Sequence, residues 1–203
     1  MSLDSISIPP ATENSAAGLV VFLHGWGANA HDVASLVPSL SLPNYQFLFP
    51  HAPFEHPQVV GGLMWYDLAR DDYKGLAQSQ MLLRDWLLSL ESLTGIPLSS
   101  TLLGGFSQGG AMCLDVGLGL PLAGIAALSG YLHQAPQYVE PPLPPILMVH
   151  GRQDTVVPLN VAQRTRDYLL GLGAPLQYKE FDMGHEIIPE ALDLFRQFIL
   201  VNI

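Results

Sequence analysis

Along this chain, short apolar runs of strand length alternate with longer amphipathic stretches of helical period, and no other feature narrows the possible folds as far. Runs at residues 19–23, 45–49, 100–103, 124–128, 146–149 and 177–181 are rich in aliphatic, β-branched or aromatic residues, which predicts six strands. Helical patterns cover 32–40, 78–93, 108–118, 160–172 and 189–201, with Pro38 limiting the first. A strand followed by a helix and then another strand implies a crossover, and repeated crossovers build a mostly parallel sheet with helices on both faces. The expectation is a doubly wound α/β fold in a single compact domain spanning 1–203.

Two segments break the alternation. Residues 51–74, which include Phe54, Trp65 and Tyr66, and the proline-rich 131–145 are too long for ordinary connections. In open parallel sheets ligands bind beyond the C-terminal ends of the strands, where such loops emerge.

Composition removes whole classes of function. An apolar share of 49% with 13% charged residues is that of a folded chain. A formal net charge of −10 with only 8 basic residues repels phosphate backbones and anionic bilayers. The expected partner is therefore a small molecule, with no nucleic acid and no stable membrane association. The longest apolar stretch, 117–132, is broken by Pro121 and is shorter than the roughly 20 residues a bilayer span needs. Cys113 is the only cysteine, which excludes an internal disulfide and a CxxC metal site, and the first residues, Met1 to Ser5, show neither a basic segment nor an apolar run, so export is not expected. A cytoplasmic protein is expected, and a homodimer stays open.

The chemistry concentrates at "GGFSQGG", residues 104–110, where one hydroxyl stands among glycines at the junction of a predicted strand and a predicted helix. Gly105-x-Ser107-x-Gly109 in that context forms a sharp turn that exposes a nucleophilic serine. Serine needs a base to take its proton, and the base needs a third group to hold its tautomer. Asp154 follows the strand at 146–149, and His185 follows the strand at 177–181, which gives the hydrolase order Ser, Asp, His at one sheet edge. Taken singly, Asp154 reads equally well as a cap, and His185 reads more readily as a surface loop residue than as a catalytic one; their joint placement points to Ser107, Asp154 and His185 as a triad. The backbone N–H of Gln108 offers one oxyanion donor, and a second is expected from the loop 23–27 after the first strand.

Competing motifs fail on their own terms. Gly25-x-Gly27-x-x-Ala30 fits a dinucleotide fingerprint, but no Asp or Glu occurs from 33 through 54, where the ribose partner belongs. Gly104 and Gly109 have the spacing of a P-loop, but Gly110 stands where lysine is required. There is no H-E-x-x-H pattern, so neither a metal nor a cofactor is expected.

The blocks "FLHGWGAN", "FPHAPFE", "MWYDL", "GGFSQGGA", "HGRQDTVVP" and "MGHEI", spread from Phe22 to Ile187, resemble the phospholipase/carboxylesterase family that includes the acyl-protein thioesterases. The resemblance implies an α/β-hydrolase fold, Ser107 as nucleophile, Asp154 as orienting acid and His185 as general base. It also implies an oxyanion hole made by the N–H groups of Trp26 and Gln108, and a cleft bordered by Trp65, Tyr66 and Asp67. Phe54, Leu63, Trp65, Tyr66, Tyr131 and Val157 are the expected substrate-binding set. The expected activity is a serine carboxylesterase acting on short- to medium-chain acyl esters, with acyl thioesters and lysophospholipids as further candidates. A lactone or peptide hydrolase on the same scaffold, or a noncatalytic binding domain, is the alternative.

Overall fold

Alternate side chains of each central strand enter opposite cores, and this fixes the layers. A computed structural model describes residues 3–12, 15–70, 72–134, 136 and 142–203. The strands are β1 (Ser5–Ile8), β2 (Leu19–Leu23), β3 (Gln46–Pro50), β4 (Phe54–Glu55), β5 (Leu63–Met64), β6 (Thr101–Phe106), β7 (Gly124–Leu128), β8 (Ile146–Gly151) and β9 (Leu176–Phe181). The helices are α1 (Ala30–Ala34), α2 (Val37–Leu40), α3 (Leu76–Thr94), α4 (Gln108–Gly117), α5 (Leu159–Gly171) and α6 (Pro189–Asn202). In β2, Leu19, Val21 and Leu23 join one core with Leu83 and Leu87 of α3, Met112 of α4 and Leu169 of α5. Val20 and Phe22 face the other core with Val33 of α1, Leu40 of α2 and Phe195 and Phe198 of α6. Burial on both sides explains why the strands read as continuous apolar runs.

The seven-stranded sheet has the order β1-β3-β2-β6-β7-β8-β9. All neighbours from β3 to β9 pair in parallel, and only β1 runs antiparallel, against β3. This is the expected doubly wound, mostly parallel architecture with helices on both faces. All six predicted strands form, several a residue or more longer than their periodicity indicated. β1 was not foreseen: its signal is two isoleucines at period two, Ile6 and Ile8, in an edge strand of four residues.

Two expectations need correction. The single helix expected over 32–40 is two short ones, and Pro38 lies in the first turn of α2 instead of closing α1. The fixed φ of proline suits a first turn, where its missing N–H costs nothing. Asn29 starts α1 through a capping box with Asp32. Residues 51–74 are not all loop: β4 and β5 pair as an antiparallel ribbon, with Phe54 opposite Met64 and Glu55 opposite Leu63. Of the second long segment, 135 and 137–141 lie outside the described residues.

The glycines around Ser107 let α4 begin directly against the sheet. A Cβ on Gly109 would collide with the carbonyl oxygens of Leu23 and His24 at the end of β2, and one on Gly105 would lie 2.5 Å from the carbonyl carbon of Gly109. Backbone, which cannot swing aside, occupies both spaces. Gly109→Ala is therefore expected to lower unfolding free energy by about 3 kcal/mol, the upper part of the overpacking range. Gly171→Ala, at the end of α5 with open space around it, is expected to be neutral or to stabilise by up to about 1 kcal/mol. Urea denaturation of both variants checks the contrast.

Candidate active site

Ser107 sits between the last residue of β6 and the first of α4 with φ 57° and ψ −119°. A positive φ is costly for a residue with a Cβ, and it is held here by the Ser107 N–H donating to the Leu128 carbonyl at 2.8 Å. The turn points the hydroxyl along the sheet edge, where the loops after β8 and β9 bring the other two side chains.

Those loops are laced together. A Cβ on Gly151 would strike the carbonyl oxygens of Met183 and Gly184; Arg152 N–H donates to the Phe181 carbonyl at 2.9 Å and Gln153 N–H to that of Met183 at 3.1 Å. His185 Nδ1 lies 2.7 Å from Asp154 Oδ2, and His185 Nε2 lies 2.8 Å from Ser107 Oγ. The ring of Phe106 backs the imidazole at 4.9 Å between centroids.

Asp154 fixes the direction of these bonds. Burial pushes its carboxyl up, but the bonds from His185, from the Val157 N–H at 2.8 Å and from the Val156 N–H at 2.9 Å outweigh it and hold the group below its ordinary 3.8. An ionised carboxylate only accepts, so Nδ1 of His185 carries the proton and Nε2 presents a lone pair to the Ser107 hydroxyl. The imidazole is set to receive a proton. His150, on β8, donates through Nε2 to the Val157 carbonyl at 2.8 Å and stands 3.5 Å from Asp154 Oδ2, supporting the same turn.

The other candidates fall in different places. Gly25 is so close to the serine that a Cβ on it would lie 3.3 Å from Ser107 Cβ, which brings the loop carrying Trp26 to the site. Among the described residues, neither the N–H of Trp26 nor that of Gln108 has an acceptor. The Trp26 ring is partly exposed and packs edge-on against His56 at 4.3 Å. Val157 is buried and serves Asp154 through its N–H. Leu63 is half-buried and its main chain ties the Trp26 loop, accepting from Gly27 N–H and donating to the Ala28 carbonyl, each at 2.9 Å. Phe54 lies under the start of α3, where a Cβ on Gly75 would meet its ring at 2.6 Å.

Trp65 and Tyr66 are fully buried and present no surface to a ligand. Tyr66 Oη lies 3.2 Å from that of half-buried Tyr131, and both rings pack against His133, which Asp115 of α4 holds at 2.6 Å. A separate cleft of about 870 Å³ lies beside that pair, lined by Tyr73, Leu76, Gln80, Asp115, Leu132 and His133 among others, and contains none of Ser107, Asp154 or His185.

Sequence reasoning missed His24, His150 and the side chain of Gln108. The two histidines each follow an apolar run and precede a glycine, and a buried histidine in that position must find partners. No group of three or more His, Cys, Asp or Glu among the described residues is placed to hold a metal ion.

The phospholipase/carboxylesterase family model matches residues 8–203. Acyl-protein thioesterase 1 of Neurospora crassa is 34% identical over a 220-residue alignment covering 95% of this chain and 89% of that protein. The chain belongs to the phospholipase/carboxylesterase family. Acyl-protein thioesterase 1 of Schizosaccharomyces pombe is 32% identical, with 91% of this chain and 87% of that protein covered. Among solved structures, esterase PE8 superposes with a TM-score of 0.90 at 32% identity, covering 100% of both chains. Zea mays acyl-protein thioesterase 2 superposes at 0.79 with 24% identity over 98% of both, a likeness of fold. The fold is that of an α/β-hydrolase, and the chain is a hydrolase acting on ester bonds. Among the described residues no helix is long and apolar enough to cross a membrane.

His24 supplies a pH test of the loop that carries Trp26. Its ring is fully enclosed, with Nδ1 2.8 Å from the Gly25 carbonyl and Nε2 accepting from Ala52 N–H at 3.1 Å. Burial lowers its pKa from 6.5 to about 4, and the Gly25 bond offsets this only in part. The unfolded chain takes up a proton below about 6.5 that the folded chain refuses until about 4, so stability falls as pH drops through that window. The loss is about 3 kcal/mol. Asp154 acts below its ordinary 3.8 and lies outside the window. Unfolding free energies of wild type and His24→Gln at several pH values are expected to diverge at neutral pH and to converge toward pH 4.

Proposed function

We propose that the chain, working as one α/β-hydrolase domain, is a serine carboxylesterase of short- to medium-chain acyl esters, with Ser107 as nucleophile, His185 as general base and Asp154 as the group that orients the imidazole. The observation that carries this reading is the unbroken series Asp154–His185–Ser107 with its 2.7 and 2.8 Å contacts. Ser107 Oγ attacks the acyl carbon while its proton passes to His185 Nε2. The tetrahedral oxyanion accepts from the N–H groups of Trp26 and Gln108, the latter at the N-terminus of α4, where the helix dipole adds to the stabilisation.

Collapse breaks the bond to the leaving alcohol, which takes the proton from Nε2. Water then adds to the acyl-enzyme with the same base and releases the carboxylic acid. No step calls for a cofactor. A thioester follows the same course with a thiol leaving, and the relatives named acyl-protein thioesterase support its inclusion. The net charge of −10 favours neutral substrates over anionic ones and disfavours nucleic acid and anionic membranes as partners. Cytoplasmic placement is part of the same proposal.

Ser107→Ala is expected to lower ester turnover at least about 10⁴-fold with the fold retained. The assay is a panel of p-nitrophenyl esters of graded acyl length beside an acyl thioester, a lysophospholipid and a peptide amide. Residual turnover near the wild-type level would remove Ser107 from the mechanism, and preference for the amide would move the substrate class.

A further inference from the structure

We infer that the side chains of His24, Trp65 and Gln108 form a buried brace that fixes the spacing and aim of the two oxyanion donors, so that Trp65 is a positioning residue for this reaction although it touches no substrate. The inference rests on the Ser107 reading above.

The brace closes on itself. Gln108 is 2% exposed; its Oε1 accepts from the Trp65 N–H at 2.8 Å, and its Nε2 donates to the Tyr66 carbonyl at 2.8 Å. Trp65 is 0% exposed, and its indole Nε1–H donates to the His24 carbonyl at 3.0 Å. The Trp65 carbonyl is taken by the Ser79 hydroxyl of α3, so its main chain is held on both sides. One oxyanion donor, the Gln108 N–H, is thus linked through one residue's side chain and another's indole to the peptide just before the second donor.

The last link sets direction. The peptide between Gly25 and Trp26 is planar and trans, so its carbonyl and its N–H point opposite ways. The Gly25 carbonyl accepts from His24 Nδ1–H at 2.8 Å and from the Ala28 N–H at 3.3 Å. Two donors holding that oxygen on one side aim the Trp26 N–H to the other. His24 Nε2 accepts from Ala52 N–H, which fixes the tautomer that makes Nδ1 the donor. A dry site gives little tolerance: donors must stand within hydrogen-bond distance of the oxyanion without reorganising, and loss of one such donor costs about 10²- to 10³-fold.

Trp65→Phe keeps a smaller aromatic ring in place of the indole and removes the Nε1–H bond to His24. Its expected effect is a fall in kcat of about 10- to 100-fold, less than loss of a whole donor, with KM changed by less than about twofold. Affinity for a trifluoromethyl ketone, which forms a hemiketal oxyanion on Ser107, is expected to fall by the same factor as kcat. Trp86→Phe, a buried tryptophan of α3 outside the brace, serves as the control for general core damage and keeps kcat and ketone affinity. Should Trp65→Phe not fold, Gln108→Met, which cuts both side-chain bonds and keeps the backbone N–H, is read in the same way. If kcat and ketone affinity in the brace variant match those of Trp86→Phe, the brace is overturned while the triad stands. If Ser107→Ala keeps wild-type turnover, the triad reading falls first and the brace with it.

Discussion

The close approach of α4 to the end of β2 governs the rest of the molecule. Only a glycine at 109 lets the first turn of that helix rest on the Leu23 and His24 carbonyls, directly beside the left-handed turn of Ser107 between β6 and α4. The same contact places the Gln108 N–H and the Gly25–Trp26 loop side by side. Backbone packing thus sets the ground of the proposed oxyanion site before any side chain takes part.

Onto that junction the sheet brings the remaining groups by topology alone. β8 and β9 follow β7 in spatial order, so the loops after them reach the same edge as Ser107 from one side. The tight passage of Gly151 under Met183 and Gly184 locks the two loops into a single unit. Asp154 is ionised because its bonds outweigh its burial, and its charge determines which ring nitrogen of His185 carries the proton. On the opposite side, the ribbon of β4 and β5 delivers Trp65 and Tyr66 to the underside of the site. Burial there goes with fully used polar groups: Trp65 spends its main-chain N–H, carbonyl and indole N–H on three different partners.

The sequence made the layers legible because each central strand is buried on both faces and reads as a solid apolar run, as residues 19–23 and 146–149 do. The placement of Ser107, Asp154 and His185 at one edge was legible for a related reason: each lies within about four residues of the end of β6, β8 or β9, so order along the chain translates into position at an edge. The brace was not legible, since it joins Trp65 to His24 and Gln108 across 41 and 43 residues through groups with no periodicity. Trp65 and Tyr66 were expected at the cleft from the family resemblance, and Trp65 also as an aromatic of a long loop, yet tertiary packing encloses both completely. β1 escaped notice because four residues at a sheet edge carry too short a pattern, and Pro38 misled because proline opens a helix as readily as it closes one.

The account stands on a single hydroxyl being the group that becomes acylated. Treatment of the folded protein with a fluorophosphonate, followed by proteolysis and mass spectrometry, identifies that group directly. The label is expected on Ser107 alone, with one equivalent abolishing esterase activity. A labelled residue other than Ser107, or full inactivation with Ser107 unmodified, would contradict the account.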